Sequence, residues 1–342
     1  MRVSNIAADR IRAGTVSDLQ TAGGPSAAVQ TVRGPVAAER LGRSLLHEHI
    51  FIASPEGIVN HNHTWGGAWW DEETRVAAAV RALRGVREAG IETIVDPTAF
   101  GLGRNVHRIA RVNAEVDVNI VVCTGLYAFL EVPAFFKYRP AEDLAAIFQR
   151  ELEVGIDDTG VRAAFLKCAI ESYGVIGDVP LILDAIGLAA VATGAPVMVH
   201  TNGAHQTGRL ALAELTARGV APDRIVIAHA GDSNDLEYLR FLAEAGAMLG
   251  FDRFNTPFNT DEARVESIVQ LIADGYLDRI HLSHDASTFN DFMQHNPPFA
   301  DANMSYLHIH RHVLPRLREA GVTQGQLDEM FIANARRFLV GP

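Results

Sequence analysis

The chain has 342 residues, with 41 acidic against 30 basic side chains and a net charge of -11. It therefore lacks the basic excess that meets a phosphate backbone, which argues against nucleic acid as a partner. Hydrophobic residues make up 48%, enough for a substantial core, and no run of about 18 apolar residues is present, so a membrane-spanning helix is not expected.

Residues 1–28 read as a flexible leader, rich in Ala, Gly and Ser over 21–28, and not as a secretory signal. Residues 29–33 alternate and Gly34-Pro35 turns the chain, giving a short strand or hairpin ahead of the barrel; a single domain is placed at 29–342. A strand is expected at 44–52. A helix at 71–89 carries Val76, Val80, Leu83 and Val86 on one face and stops at Gly90. Strands follow at 91–96 and 119–125, with a helix at 106–116 between them, then a helix at 141–155. The rhythm continues with strands at 160–170, 196–200, 224–229, 247–251 and 279–284. Helices lie between them at 180–193, 207–218, 234–245 and 260–274, the last four stopped by Gly194, Gly219, Gly246 and Gly275. Two further helices are expected, at 306–320 and 323–339. Eight near-continuous apolar strands, each followed by a helix, predict an α/β (β/α)8 barrel. An open doubly wound sheet fits less well, because no glycine-rich phosphate loop follows the first strand. Cys123 and Cys168 each sit inside an apolar run and read as buried thiols in a reducing, cytoplasmic setting.

The strand ends carry the chemistry. His47 and His49 close the first apolar run, and residues two apart on a strand share a side, so both can reach one metal. His200, His229 and Asp285 end three other runs, and Lys167 lies inside Phe165-Leu-Lys-Cys168. Taken singly, each histidine could instead be a hydrogen-bonded barrel residue; His61/His63 and His308/His310 are His-x-His pairs without such partners. A buried ammonium is costly. Lys167 is therefore either paired with Glu171 or Asp285, or made anionic by carbon dioxide as a carbamate able to bridge two metals.

Gln30-Thr-Val-Arg-Gly-Pro35, Leu46-His-Glu-His-Ile50, Ile94-Val-Asp96, Cys123-Thr-Gly-Leu-Tyr127, Phe165-Leu-Lys-Cys168, His229-Ala-Gly-Asp232, Phe251-Asp-Arg-Phe254 and Leu282-Ser-His-Asp285 together resemble the phosphotriesterase family of the amidohydrolase superfamily, and within it the phosphotriesterase-like lactonase branch. The resemblance runs from about residue 29 to the C-terminus. It implies a binuclear centre with His47, His49 and Asp285 on the more buried divalent ion and His200 and His229 on the other. Carbamylated Lys167 and a hydroxide would bridge them, and Asp285 would carry the proton. Zinc suits these ligands; iron, cobalt and manganese also fit. Tyr127 and Arg253 resemble the lactonase branch, where phosphotriesterases proper have tryptophan and a relay histidine. Tyr127 is expected to hydrogen-bond the hydroxide or lactone oxygen, Arg253 to orient the loop and ring, and Asp232 to act as a salt-bridge partner.

The implied activity is hydrolysis of N-acyl homoserine lactones or related lactones and esters, with weak phosphotriesterase activity and a homodimeric, cytoplasmic enzyme. The alternatives are an organophosphate triester hydrolase and a metal-binding barrel without turnover. Phe129 replaces a second tyrosine of the common lactonase pattern, and the loops at 136–141 and 255–260 are short, which leaves the acyl-chain preference open. His63, Trp65, Trp69 and Trp70 could line the mouth, form an interface or pack at a helix start. His284 is expected to point away from the metals. His61, His63, His107, His205, His281, His295, His308, His310 and His312 read as surface or packing residues.

Overall fold

The computed structural model describes residues 27–67, 69–291 and 305–341, so all but the last two positions of the expected leader, and His295, lie outside the described residues. Strands β1 (Ala28–Thr31) and β2 (Gly34–Ala37) form an antiparallel hairpin. Gly34 turns it at φ 100°, where a residue without Cβ meets no strain. Then follow β3 (Ser44–Leu45), β4 (Phe51–Ile52), α1 (Pro55–Trp65), α2 (Glu72–Glu88), β5 (Thr93–Asp96), α3 (Val106–Ala114) and β6 (Asn119–Gly125). The middle of the chain holds α4 (Ala141–Glu153), β7 (Phe165–Ala169), α5 (Val179–Thr193), β8 (Val197–His200), α6 (Thr207–Ala217) and β9 (Ile225–Ala228). It continues through α7 (Leu236–Glu244), β10 (Met248–Phe251), α8 (Asp261–Ala273), β11 (Ile280–Leu282), β12 (Phe289–Asn290), α9 (Leu314–Glu319), α10 (Gln324–Asp328) and α11 (Asn334–Val340).

Strands β3 and β5 to β11 lie side by side in chain order, and every recorded pairing between them is parallel. The first and last strands meet through single backbone bonds, Asp285 N to the His47 carbonyl (3.1 Å) and His49 N to the Ala286 carbonyl (2.8 Å). The result is a nearly closed (β/α)8 barrel with its helices outside. Period-two alternation sorts the side chains. Ile94, Ile120, Leu166, Val197 and Ile227 face the helices, while Val95, Val121, Phe165, Met198 and Val226 fill the barrel. The hairpin and α11 close the lower end, with Phe338 packed on Phe165 at 5.6 Å between ring centroids.

Helix α2 shows the local logic. The Asp71 side chain accepts from Thr74 N at 2.8 Å, a cap worth about 1 kcal/mol, and Val76, Val80, Leu83 and Val86 are buried on one face. Three regions differ from expectation. The apolar run 44–52 is not one strand: β3 ends at Leu45 and β4 pairs with β12. Between them, Glu48 N donates to the Val95 carbonyl and His49 N to the Ala286 carbonyl, so the segment bonds alternately to either neighbour. Helix α1 was not foreseen, because only Gly57 of its residues is buried and no apolar stripe marks it. The C-terminal helices are interrupted by wide turns at Ile309–Val313 and Glu329–Ala333. Both cysteines are buried and unpaired. No helix among the described residues is long and apolar enough to cross a membrane.

Candidate metal centre

The strand ends on one face of the barrel bring His47, His49, Lys167, His200, His229 and Asp285 around a cleft of about 60 Å³. Asp285 Oδ1 lies 3.4 Å from His47 Nε2 and 3.2 Å from His49 Nε2. His200 Nδ1 faces His229 Nε2 at 3.0 Å. His229 and Asp285 hold left-handed backbone conformations, φ 66° and 55°. A non-glycine residue there costs about 1–3 kcal/mol, and such strain collects at functional sites. Two glycines admit the cluster. A Cβ on Gly125 would come within 2.1 Å of the Lys167 carbonyl oxygen, and one on Gly250 within 2.4 Å of Asp252 Oδ2.

Each histidine has its far nitrogen tied. His47 Nδ1 donates to Asp252 Oδ2 at 2.8 Å and His229 Nδ1 to Asp252 Oδ1 at 2.9 Å. His49 Nδ1 donates to the Thr98 hydroxyl at 2.7 Å, which donates to Asp96 at 2.5 Å. His200 Nε2 lies 3.2 Å from Glu171 Oε1. Burial brings the His47 imidazole down to about 4, and burial also lowers His200 and His229. Neutral rings that donate on their far side turn lone pairs into the cleft. Two nitrogens bound to one zinc ion in tetrahedral geometry stand about 3.3 Å apart, so the His200–His229 approach suits a shared cation better than a bare contact of lone pairs. His47, His49 and Asp285 form a second such donor group, with ligand atoms all within 4.8 Å of one another.

Lys167 is 1% exposed and makes no hydrogen bond or ion pair among the described residues. It bonds to neither of the partners considered for it. Glu171 accepts from Tyr127 and His200, and Asp285 is engaged by Arg253 and two histidines. Burial lowers the lysine from its ordinary value, which favours the neutral amine. Burial alone would raise the Asp285 carboxyl, but His47, His49 and Arg253 hold it well below the usual range.

Arg253 sits at the rim. Its Nε donates to Asp285 Oδ2 at 3.0 Å, its Nη1 to Asp232 Oδ2 at 3.2 Å, and its guanidinium stacks over Phe258 at 4.4 Å. Asp232 is held from its other side by the fully buried Arg264 at 2.7 Å. The Tyr127 hydroxyl donates to Glu171 Oε1 at 2.5 Å and not to the cleft centre. His284 turns away, pairing with Glu48 at 2.6 Å and accepting from Ile309 N. None of the tryptophans lines the cleft. Trp70 is buried against Phe51, Phe289 and Arg108, whereas Trp65 is half exposed. Asp252, Thr98 and the bonding of Glu171 were not singled out from sequence. The available signal was a carboxylate ending an apolar run, as in Ile94-Val-Asp96 and Phe251-Asp252.

Among known proteins, the profile of the Phosphotriesterase family matches residues 27–339. The chain belongs to the phosphotriesterase family. It is 40% identical over 321 residues to a phosphotriesterase homology protein of Mycobacterium tuberculosis, covering 90% of this chain and 96% of that one. It is 31% identical over 307 residues to an aryldialkylphosphatase of Saccharolobus solfataricus (89% and 96% covered). The solved structure of the phosphotriesterase from Mycobacterium tuberculosis superposes with a TM-score of 0.86 at 40% identity, covering 92% of this chain and 98% of that one. Phosphotriesterase-family members use a binuclear divalent centre, and this chain, as a member, is a metal-dependent hydrolase. Its donor set fits that centre: three donors in one group, two in another, and the buried Lys167 in the lining of the same cleft.

Proposed function

We propose that this phosphotriesterase-family enzyme is a lactonase that opens N-acyl homoserine lactones or related γ- and δ-lactones, with weak activity on phosphotriesters. The observation that carries this reading is Arg253, ion-paired to both Asp285 and Asp232. A guanidinium stays protonated, so it cannot pass a proton from Asp285 to Asp232. The leaving oxygen must take its proton from Asp285 itself. Ring opening suits that requirement, because a lactone's leaving alkoxide stays tethered beside the attacked carbon.

His47, His49 and Asp285 would hold one cation and His200 and His229 the other, with Lys167 bridging them as its carbamate. A neutral Lys167 amine would form the N–C bond with carbon dioxide and lose one proton, and its carbamate would supply two oxygen ligands. Two divalent cations, zinc by the ligand chemistry, would bring a bound water's pKa towards 7 and polarise the substrate carbonyl or phosphoryl oxygen. Asp285 would accept the attacking water's proton and return it to the ring oxygen as the acyl C–O bond breaks. Arg253 would orient Asp285 during this exchange, and Tyr127, its proton committed to Glu171, would line the cleft beside the ring. A cytoplasmic homodimer completes the proposal, with sedimentation of the purified chain as the check on its oligomeric state.

The test compares kcat/KM of the metal-reconstituted enzyme for an N-acyl homoserine lactone and for paraoxon. A higher value for the lactone is expected. A tenfold advantage for paraoxon would reject the proposal in favour of organophosphate triester hydrolysis, the reading supported by the relative named aryldialkylphosphatase.

A further inference from the structure

Three of the four cleft histidines are held by buried groups: His47 and His229 by Asp252, and His49 by Thr98. His200 differs. Its far nitrogen is met by Glu171, a residue of the loop after β7, whose side chain is 17% exposed. The same oxygen, Glu171 Oε1, accepts the Tyr127 hydroxyl at 2.5 Å and faces His200 Nε2 at 3.2 Å. The Tyr127 and His200 rings also touch edge to face, with centroids 5.2 Å apart and planes at 77°. One carboxylate thus caps a side chain that lines the cleft and a histidine at its floor.

Two consequences follow from donor and acceptor count. A carboxylate opposite Nε2 keeps the proton on that nitrogen and leaves the His200 Nδ1 lone pair directed at His229 Nε2, 3.0 Å away. A phenol whose only proton goes to Glu171 offers lone pairs alone to the cleft. It can accept from an N–H or O–H group there but cannot donate to a carbonyl or ring oxygen. We propose that Glu171 is a positioning residue that fixes the His200 tautomer, and with it the hold on the more exposed cation, while setting Tyr127 as an acceptor. This rests on reading His200 as a ligand and not on the identity of the substrate.

The test is a zinc titration of the full chain by equilibrium dialysis and elemental analysis, for wild type, Glu171→Ala, Glu171→Gln and Tyr127→Phe. Glu171→Ala is expected to bind the second zinc equivalent about 10–100-fold more weakly with the first unchanged, the usual cost of losing a ligand's carboxylate partner. Glu171→Gln should show a smaller loss in the same direction, and Tyr127→Phe none. Proton NMR of the cobalt-substituted protein supplies a second readout: the exchangeable His200 Nε2–H resonance should exchange faster with water in both Glu171 variants. Wild-type affinity for both equivalents with that resonance unmoved would overturn the proposal. If Glu171→Ala does not fold, Glu171→Gln decides by the same two readouts. Two equivalents in wild type without lactone turnover would overturn the lactonase reading alone; a single equivalent would overturn both.

Discussion

Replacing Asp252 by alanine should weaken both metal sites at once. The carboxylate is fully buried and accepts from His47 Nδ1 (2.8 Å), His229 Nδ1 (2.9 Å) and the His229 backbone N–H (2.8 Å). Burial alone would push its carboxyl up, yet His229 and His47 hold it well below the ordinary range, which favours the anion. Removing one partner of such a buried group costs about 3–5 kcal/mol, because the donors left behind remain out of water. Loss of the group that orients a ligand weakens metal binding by about 10–100-fold. Here that factor applies to one ligand of each cation. Asparagine makes a sharper case, since its amide N–H₂ must face one of the two rings. That ring then turns a protonated nitrogen into the cleft, and one cation is lost. Calorimetric melting and zinc titration of Asp252→Ala and Asp252→Asn measure both effects. Two equivalents bound by Asp252→Ala as tightly as by wild type, or loss of only one, would refute the reasoning that a single carboxylate serves both sites.

His281 lies inside the barrel with neither ring nitrogen partnered among the described residues, and burial brings its imidazole from 6.5 down to about 4. The folded state stays neutral while the unfolded chain takes a proton below pH 6.5, so stability is unaffected above that pH and falls as pH drops towards 4. At about 1.4 kcal/mol per pH unit the full loss is about 3 kcal/mol. His281→Met should remove it, and urea midpoints at pH 5 and pH 8 that shift alike in both proteins would contradict this. Arg253→Met breaks charge-assisted bonds worth about 1.5–3 kcal/mol, so kcat/KM for a lactone should fall about 10–100-fold. Unchanged lactone kinetics would remove Arg253 from the proposed machinery. Lys167→Ala should collapse metal content, and elemental analysis showing two retained equivalents would end its bridging role. Chelation should abolish hydrolysis and added divalent cation restore it; activity that survives chelation would exclude metal-assisted attack.

The barrel was legible because its strands, buried on both faces, read as near-continuous apolar runs and its helices stop at glycines such as Gly194 and Gly219. The six strand-end residues were legible as a set because each closes or interrupts an apolar run. Their supporting groups were not. Asp252 meets His47 across 205 positions of chain, and no periodicity announces such a partner. Helix α1 escaped for a related reason. Ser54 caps it and Pro55 opens it, but it buries almost no apolar surface, so only its punctuation could have marked it. The break in the run 44–52 depends on what lies beside the chain and not on what the chain contains. The interrupted C-terminal helices, by contrast, keep an apolar spacing that tolerates one extra residue per turn.

The join between β3 and β11 has single backbone bonds where the other barrel neighbours share a ladder, and it is there that His47 and His49 face Asp285. An ion gripped by these three would act as a clasp between the first and last staves. A cross-link closing so long a stretch of chain is worth on the order of 4–5 kcal/mol. Stripping the ion would then loosen the cylinder along this line first, leaving hydrogen exchange fastest at the very residues that perform the chemistry.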